Sequence, residues 1–194
     1  MKNYQIGVVV GSIRKDSINK QLANGLIKLF PKNFSFKFIK MDDLPLYNQD
    51  LDGKQPEPVN RLKKEITDCD ALIFLTPEYN RSMPGVLKNA LDHGSRPYGQ
   101  NSWANKPAGV LGASVGTMGT ALAQQHLRNV LAYLDTPTLN QPEVFIHAKE
   151  GFFDKDGHIN DTSNKFLQGW VDKYMAWVEN YVATAKHELP KNKI

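Results

Sequence analysis

Short apolar runs alternate with helical patterns along this chain. Five runs have the length of β-strands, and the one at 71–75 is apolar without interruption, which is typical of a strand buried on both faces. The other runs lie at 6–10, 34–39, 107–112 and 143–147. Strands that alternate with helices form parallel sheets with right-handed crossovers. The pattern therefore predicts an α/β fold, a flavodoxin-like doubly wound five-stranded parallel sheet with helices on both faces, as one domain over residues 1–194.

Helices are predicted between these strands, including one over 59–67 and one that begins at Pro84. The connection at 42–58 is rich in proline and is predicted to be non-helical. The last helix is predicted to begin near Asp161 or Thr162, because either residue can act as an N-cap. Its aromatic stripe is assigned to the core and consists of Phe166, Trp170, Tyr174, Trp177 and Tyr181.

A polar loop at 11–19 follows the first predicted strand and leads into a helix. Backbone N–H groups at the start of a helix lack intrahelical acceptors, and the helix dipole is positive there. Gly11 is the only glycine in the loop, so neither a Walker A loop nor the three-glycine dinucleotide fingerprint is present. The loop is predicted to bind a phosphate monoester, with an ordinary capped turn as the alternative. The side chains that suit this role are Ser12, Arg14, Ser17 and Asn19.

Two further loops, at 76–82 and 114–119, follow the third and fourth predicted strands. In a doubly wound sheet, such loops meet the first one where the strand order reverses. Segment 76–82 combines a rigid Pro77 with Tyr79 and the amide of Asn80, and the glycines of 114–119 let the backbone approach a flat ring. A phosphate site beside a planar heterocycle indicates FMN. Taken alone, each loop also fits an ordinary turn.

Composition restricts the class of protein. The 194 residues are 41% hydrophobic and 23% charged, with a net charge of +4, as in ordinary globular proteins. No apolar run approaches the roughly 18 residues of a membrane span, and no signal peptide is visible. The single cysteine, Cys69, lies between two aspartates, which indicates a structural thiol in a reducing cytoplasm. No nucleic-acid partner is expected, because the clustered lysines indicate a solvated terminus: Lys186, Lys191 and Lys193.

With these motifs in view, the chain resembles the NADPH-dependent FMN reductase family, especially its quinone- and chromate-reducing flavoproteins. The pattern Gly-Ser-x-Arg-x-x-Ser-x-Asn at 11–19 is similar to the family's phosphate loop. The segment Leu-Thr-Pro-Glu-Tyr-Asn at 75–80, followed by Ser82, Pro84 and Gly85, is similar to the family's flavin loop and the helix after it.

The resemblance implies which residues hold FMN. It places the phosphate on Ser12, Arg14, Ser17 and Asn19. It places the ribityl chain and the isoalloxazine on the flavin loop, largely through backbone, at Pro77, Glu78, Tyr79, Asn80 and Ser82. Ser114 and Gly116 are expected to close the other side. Two residues depart from the family pattern: Asp16 puts an acid near the phosphate, and His93 is expected to alter the substrate pocket.

The resemblance also implies an activity. Hydride from NADPH or NADH passes through FMN to a quinone, an azo compound, a metal oxyanion or free flavin, in a ping-pong mechanism. Because the flavin carries the chemistry, no catalytic acid or base is assigned to the protein. Family members are homodimers or homotetramers with the flavin near a subunit boundary, which makes the helix beginning at Pro84 the expected interface.

Two other classes of function stay open. Residues 112–116 match Gly-x-Ser-x-Gly between a strand and a helix, as in a serine hydrolase with Ser114 as nucleophile. Only one predicted strand remains after Ser114, which disfavours this class; its acid and base would come from Asp135 or Asp154 and His147 or His158. A flavodoxin-type electron carrier is disfavoured, because such carriers are usually acidic and this chain has a net charge of +4. The five histidines show no paired spacing, so no metal site is expected.

Overall fold

Five parallel strands form the centre of the computed structural model, which describes residues 2–188. They are β1 (Tyr4–Val10), β2 (Phe34–Phe38), β3 (Ala71–Leu75), β4 (Ala108–Ser114) and β5 (Phe145–His147). Their order in the sheet is β2-β1-β3-β4-β5, so the direction of winding reverses between β1 and β3. The predicted flavodoxin-like sheet is confirmed. The reversal puts the expected ligand crevice beyond the carboxyl ends of these two strands.

Five α-helices pack on the two faces of the sheet. They are α1 (Ile18–Leu26), α2 (Glu57–Thr67), α3 (Gly85–Gly94), α4 (Ala121–Tyr133) and α5 (Asp161–Glu188), with short 3₁₀ turns at Ile27–Leu29 and Gln49–Leu51. Ile6 and Val8 of β1 pack with residues of α1 and α5, whereas Val9 packs with residues of α2, α3 and α4. All five residues of β3 are buried, as the uninterrupted apolar run predicts for a central strand.

The proline-rich connection contains more regular structure than the sequence predicts. Helix α2 begins at Glu57, inside the segment 42–58. Proline is tolerated in a first helical turn, because the N–H it lacks would have no acceptor there. The 3₁₀ turn at Gln49–Leu51 is preceded by Asn48, whose side chain accepts a hydrogen bond from the N–H of Asp50. The expectation that this whole segment is non-helical was therefore wrong.

Helix α5 begins at Asp161, as predicted, but its capping residue differs from the prediction. Oδ1 of Asn160 accepts the N–H of Ser163 at 2.9 Å, so Asn160 caps the helix instead of Asp161 or Thr162. Phe166 is 54% exposed and does not belong to the buried stripe. Trp170 and Tyr174 are buried as expected, and the Tyr174 hydroxyl donates to the Leu72 carbonyl at 2.9 Å.

Cys69 is a buried structural thiol. Its Sγ donates to the Glu65 carbonyl at 3.1 Å. Burial raises the pKa of Cys69 to about 11, although the nearby Lys106 opposes this shift. A thiol with so high a pKa holds little thiolate at neutral pH and is a poor nucleophile. The expectation of a structural role is consistent with this environment.

The described residues contain no helix that combines the length and the hydrophobicity needed to cross a bilayer. Lys191 and Lys193 lie outside the described residues, and Lys186 lies outside those whose side chains are described.

A buried side-chain amide at the end of the first loop connects this loop to β4. Asn19 is 2% exposed. Its Nδ2 donates to the Ala113 carbonyl at 2.9 Å, and its Oδ1 accepts the Ala113 N–H at 2.9 Å. The Asn19 side chain thus pairs with the backbone of β4 as a neighbouring strand would. This pair fixes the start of α1 against the end of β4.

Replacement of Asn19 by alanine is expected to lower the free energy of unfolding by roughly 2–4 kcal/mol, because it leaves a buried N–H and a buried carbonyl without partners. Urea unfolding followed by circular dichroism measures the loss. Asn24→Ala is the matched control, because Asn24 is an exposed asparagine on the same helix. Equal unfolding midpoints for the two variants would show that the amide pair does not stabilise the fold.

Candidate functional site

A cleft of about 180 Å³ lies beyond the carboxyl ends of β1, β3 and β4. The structure brings all three unusual loops to it. Eight of the residues named from the sequence line the cleft: Ser12, Arg14, Ser17, Asn19, Pro77, Glu78, Tyr79 and Ser114. Ile18, Ala113 and Val115 complete the lining. Three named residues, Asn80, Ser82 and Gly116, do not line it, and the geometry of their loops explains why.

The first loop ends in a capped helix whose positive end faces the cleft. Oγ of Ser17 accepts the N–H of Lys20 at 3.2 Å and so forms the N-cap of α1. The first N–H groups of the helix, at Ile18 and Asn19, have no intrahelical acceptor by the geometry of an α-helix. The first turn of α1 carries no acidic residue. These N–H groups and the helix dipole favour an anion at this point.

The side chains of the first loop contribute unequally. Arg14 is exposed, and its guanidinium donates to the Asp16 backbone carbonyl at 3.2 Å. None of the ion pairs among the described residues involves Arg14. Asp16 is also exposed. The Asn19 amide is occupied by β4, which leaves its backbone N–H as the group available to a ligand. The Asn19 side chain thus has a structural role, and its predicted contact with a phosphate stays a prediction that its backbone N–H can meet.

The second loop is a tight hairpin. Tyr79 and Ser82 exchange two backbone hydrogen bonds, each of 3.0 Å. The residues between them are both left-handed, with φ of 52° at Asn80 and 64° at Arg81, which is the geometry of a type I′ turn. Asparagine tolerates this conformation well and arginine poorly. Asn80 therefore forms the turn, and its asparagine is the one sequence signal that could have predicted the hairpin.

Glu78 connects this hairpin to α4. Its Oε2 accepts the N–H groups of Leu122 at 3.0 Å and Ala123 at 3.1 Å. The N-cap residue of α4, Thr120, makes no capping hydrogen bond through its own side chain, so a carboxylate from another loop fills that role. The Glu78 side chain is 11% exposed and lies 3.9 Å from the Arg81 guanidinium. Glu78 thus lines the cleft, while its charge lies at the start of α4.

A second contact joins the same two elements. Oγ of Ser82 lies 3.0 Å from Nδ1 of His126 on α4. Ser82 is therefore directed to α4 and away from the cleft, and its predicted contact with a ligand is not supported by this placement. His93, expected in the substrate pocket, is 2% exposed, and its Nε2 lies 2.9 Å from the Pro45 carbonyl. His93 holds the 42–58 connection on α3 and does not line the cleft.

The third loop folds back on Ser114. The Ser114 hydroxyl donates to the Gly119 carbonyl at 2.6 Å and accepts the Gly116 N–H at 3.2 Å. Gly119 has a φ of 59°, which suits glycine because it has no Cβ. Gly116 therefore forms part of this turn and does not line the cleft. Val115, which follows Ser114 in the chain, is 73% exposed and forms an apolar edge of the cleft.

The serine hydrolase reading fails on this geometry. Ser114 is the last residue of β4, not the strained turn residue of a nucleophile elbow. Among the described residues, no histidine is hydrogen-bonded to its hydroxyl. Gly112 is needed for packing, since a Cβ there would overlap the Thr76 carbonyl oxygen. The candidate acid and base, Asp154 and His158, pair with each other at 3.2 Å on an exposed loop.

The cleft has an anion-binding end and an apolar rim. The anion-binding end is the start of α1 with Arg14, and the rim carries Tyr79, which is 49% exposed, and Val115. The donors suit a phosphate, and the rim suits a flat ring. A flavodoxin-like sheet with such a site at its reversal point defines the class of the flavodoxin-like flavoproteins.

The chain belongs to the NADPH-dependent FMN reductase family, whose model matches residues 4–151. It is 54% identical over 177 residues to a 2-hydroxy-1,4-benzoquinone reductase from Burkholderia sp, covering 91% of this chain and 97% of that protein. A quinone reductase from Pseudomonas putida is 45% identical, covering 91% and 95%. Among solved structures, the NAD(P)H:(acceptor) oxidoreductase FerB from Paracoccus denitrificans superposes with a TM-score of 0.87 at 45% identity, covering 92% of this chain and 98% of that one.

Removal of the Glu78 carboxylate is expected to destabilise the fold, because this carboxylate caps α4. Glu78→Ala should lower the free energy of unfolding by about 1–2 kcal/mol, because two N–H groups lose their acceptor and the helix dipole loses its partner. Glu78→Gln, which keeps one acceptor, should cost about half as much. Urea unfolding measures both. The exposed Glu150 supplies the control, Glu150→Gln, and a Glu78→Ala midpoint equal to that of this control would refute the capping role.

Proposed function

We propose that this protein is an FMN-dependent NAD(P)H oxidoreductase that transfers hydride from NADPH or NADH to quinones. Azo compounds, metal oxyanions and free flavin are the other acceptors in this proposal. The observation that carries it is the convergence of an anion-binding helix start and two apolar-edged loops in one cleft. Membership of the FMN reductase family and 54% identity to a benzoquinone reductase support the same reaction.

In this proposal the FMN phosphate is held at the start of α1. The N–H groups of Ile18 and Asn19 and the Arg14 guanidinium neutralise it, and the hydroxyls of Ser12 and Ser17 complete its hydrogen bonds. Pro77 to Tyr79 and Ser114 to Val115 flank the ring on two sides. When bound, FMN supplies the hydride chemistry. The protein orients it, and no side chain is assigned as a catalytic acid or base.

The remaining parts of the proposal concern assembly and location. The first and third loops carry exposed apolar side chains, Ile13 at 64% and Met118 at 55%, and exposed apolar surface of this kind favours association. We infer a homodimer or homotetramer, with α3 as the candidate interface. The whole chain acts as one FMN-binding domain in this proposal. The buried, free thiol of Cys69 supports a reducing compartment such as the cytoplasm.

Steady-state kinetics test the proposed reaction. Protein reconstituted with FMN is expected to be yellow and to oxidise NADPH or NADH in the presence of 1,4-benzoquinone, with parallel double-reciprocal plots because donor and acceptor use the same site in turn. The apoprotein without added flavin is the control. Flavin binding without any NAD(P)H oxidation would instead identify an electron carrier, and hydrolysis of a chromogenic ester would revive the hydrolase.

Arg14→Ala tests the phosphate site. Loss of a charge-assisted contact of about 1.5–3 kcal/mol should weaken FMN binding at least about tenfold. Isothermal titration of the apoprotein with FMN measures the change. Lys15→Ala is the matched control, because Lys15 is an exposed cation of the same loop that does not line the cleft. An unchanged FMN affinity in Arg14→Ala would rule out this phosphate site.

A further inference from the structure

A second, larger cleft opens on the other side of the first loop. Its volume is about 590 Å³, which lies in the range of small-molecule sites. It lies beyond the ends of β1 and β2, and it shares two lining residues, Ser12 and Arg14, with the proposed flavin site. A phosphate held at this loop would therefore lie at the boundary between the two clefts.

The second cleft has a cationic rim. Its lining includes Arg14, Lys15, Lys20 and Lys40, against a single acidic residue, Asp42. Lys40 is paired with Asp43 at 3.0 Å. In the part of the chain that the structure describes, neither Lys15 nor Lys20 has a carboxylate within salt-bridge distance. The rim thus presents positive charge beyond what a single flavin phosphate needs.

The wall of the second cleft is apolar and partly aromatic. Phe38, the last residue of the edge strand β2, is 38% exposed, and Ile13 is 64% exposed. Met41 also lines the cleft and is buried. An exposed aromatic ring beside cations is the combination that stacks a nucleobase and binds its phosphates.

We propose that this cleft binds the adenosine monophosphate half of FAD, so that the protein accepts FAD as well as FMN. The inference rests on the proposed flavin site. In FAD a second phosphate is joined directly to the flavin phosphate, so the nucleotide must leave the first cleft where that phosphate lies. The shared Ser12 and Arg14 mark this exit, and the cationic rim and Phe38 lie beyond it.

Calorimetric titrations of the apoprotein with FMN and with FAD test the proposal. The wild-type protein is expected to bind FAD at least as tightly as FMN. Phe38→Ala should weaken FAD binding roughly fivefold or more, because a stacked base loses its aromatic partner. Lys15→Ala should weaken FAD binding about threefold or more by removing a charge near the second phosphate. Neither substitution should change FMN affinity by more than about twofold. Lys28→Ala, an exposed lysine outside this cleft, controls for net charge and should change neither.

Competition provides a second measurement that needs no variant. Adenosine 5′-monophosphate is expected to compete with FAD and so to lower the apparent affinity for FAD. It is expected to leave the affinity for FMN unchanged. Two results would overturn the FAD proposal and leave the proposed flavin site standing. One is FAD binding that is more than tenfold weaker than FMN binding, and the other is an equal loss of affinity for both flavins in Phe38→Ala and Lys15→Ala. Failure of both flavins to bind the wild-type protein would overturn the proposed flavin site itself.

Discussion

The geometry of the cleft depends on the buried amide pair between Asn19 and Ala113. Parallel strands bring three loops to one edge of the sheet, but they do not fix the depth or angle at which each loop lies. The pair, with two hydrogen bonds of 2.9 Å, sets the start of α1 against the end of β4. Because both groups are buried, a shifted arrangement would leave them unsatisfied. The pair therefore links the phosphate end of the cleft directly to its ring end.

Each of the other loops is also anchored to the protein itself. The second loop is closed by its own type I′ turn and is held to α4 through Glu78 and Ser82. The third loop is closed on the Ser114 hydroxyl. A ligand that enters such a cleft meets loops that are already ordered, so little conformational entropy is lost on binding. The polar side chains that anchor these loops are hydrogen-bonded within the protein, so the loops offer mainly backbone groups to a ligand.

Sequence patterns predicted the sheet, the order of elements and the three loops, because apolar periodicity and strand-to-helix boundaries are local signals. They did not predict which partner each polar atom chooses. The side chains of Asn19 and Ser82 have partners that are distant in the chain, Ala113 and His126, and the sequence motifs did not indicate either partner. The Gly-x-Ser-x-Gly match at 112–116 arose from packing and a turn. Such partners depend on tertiary contacts that a single sequence does not display.

The position of the Glu78 charge has a consequence for electron transfer. Its carboxylate is neutralised by the start of α4, so the nearest acid of the flavin loop does not face the proposed ring with an unbalanced negative charge. The other fixed charges at the cleft, the start of α1 and the Arg14 guanidinium, are positive. These positive charges lie at the phosphate end of the cleft and balance the phosphate, so the ring receives no unbalanced charge from them. A hydride that arrives from a nicotinamide therefore meets no unbalanced carboxylate from the flavin loop.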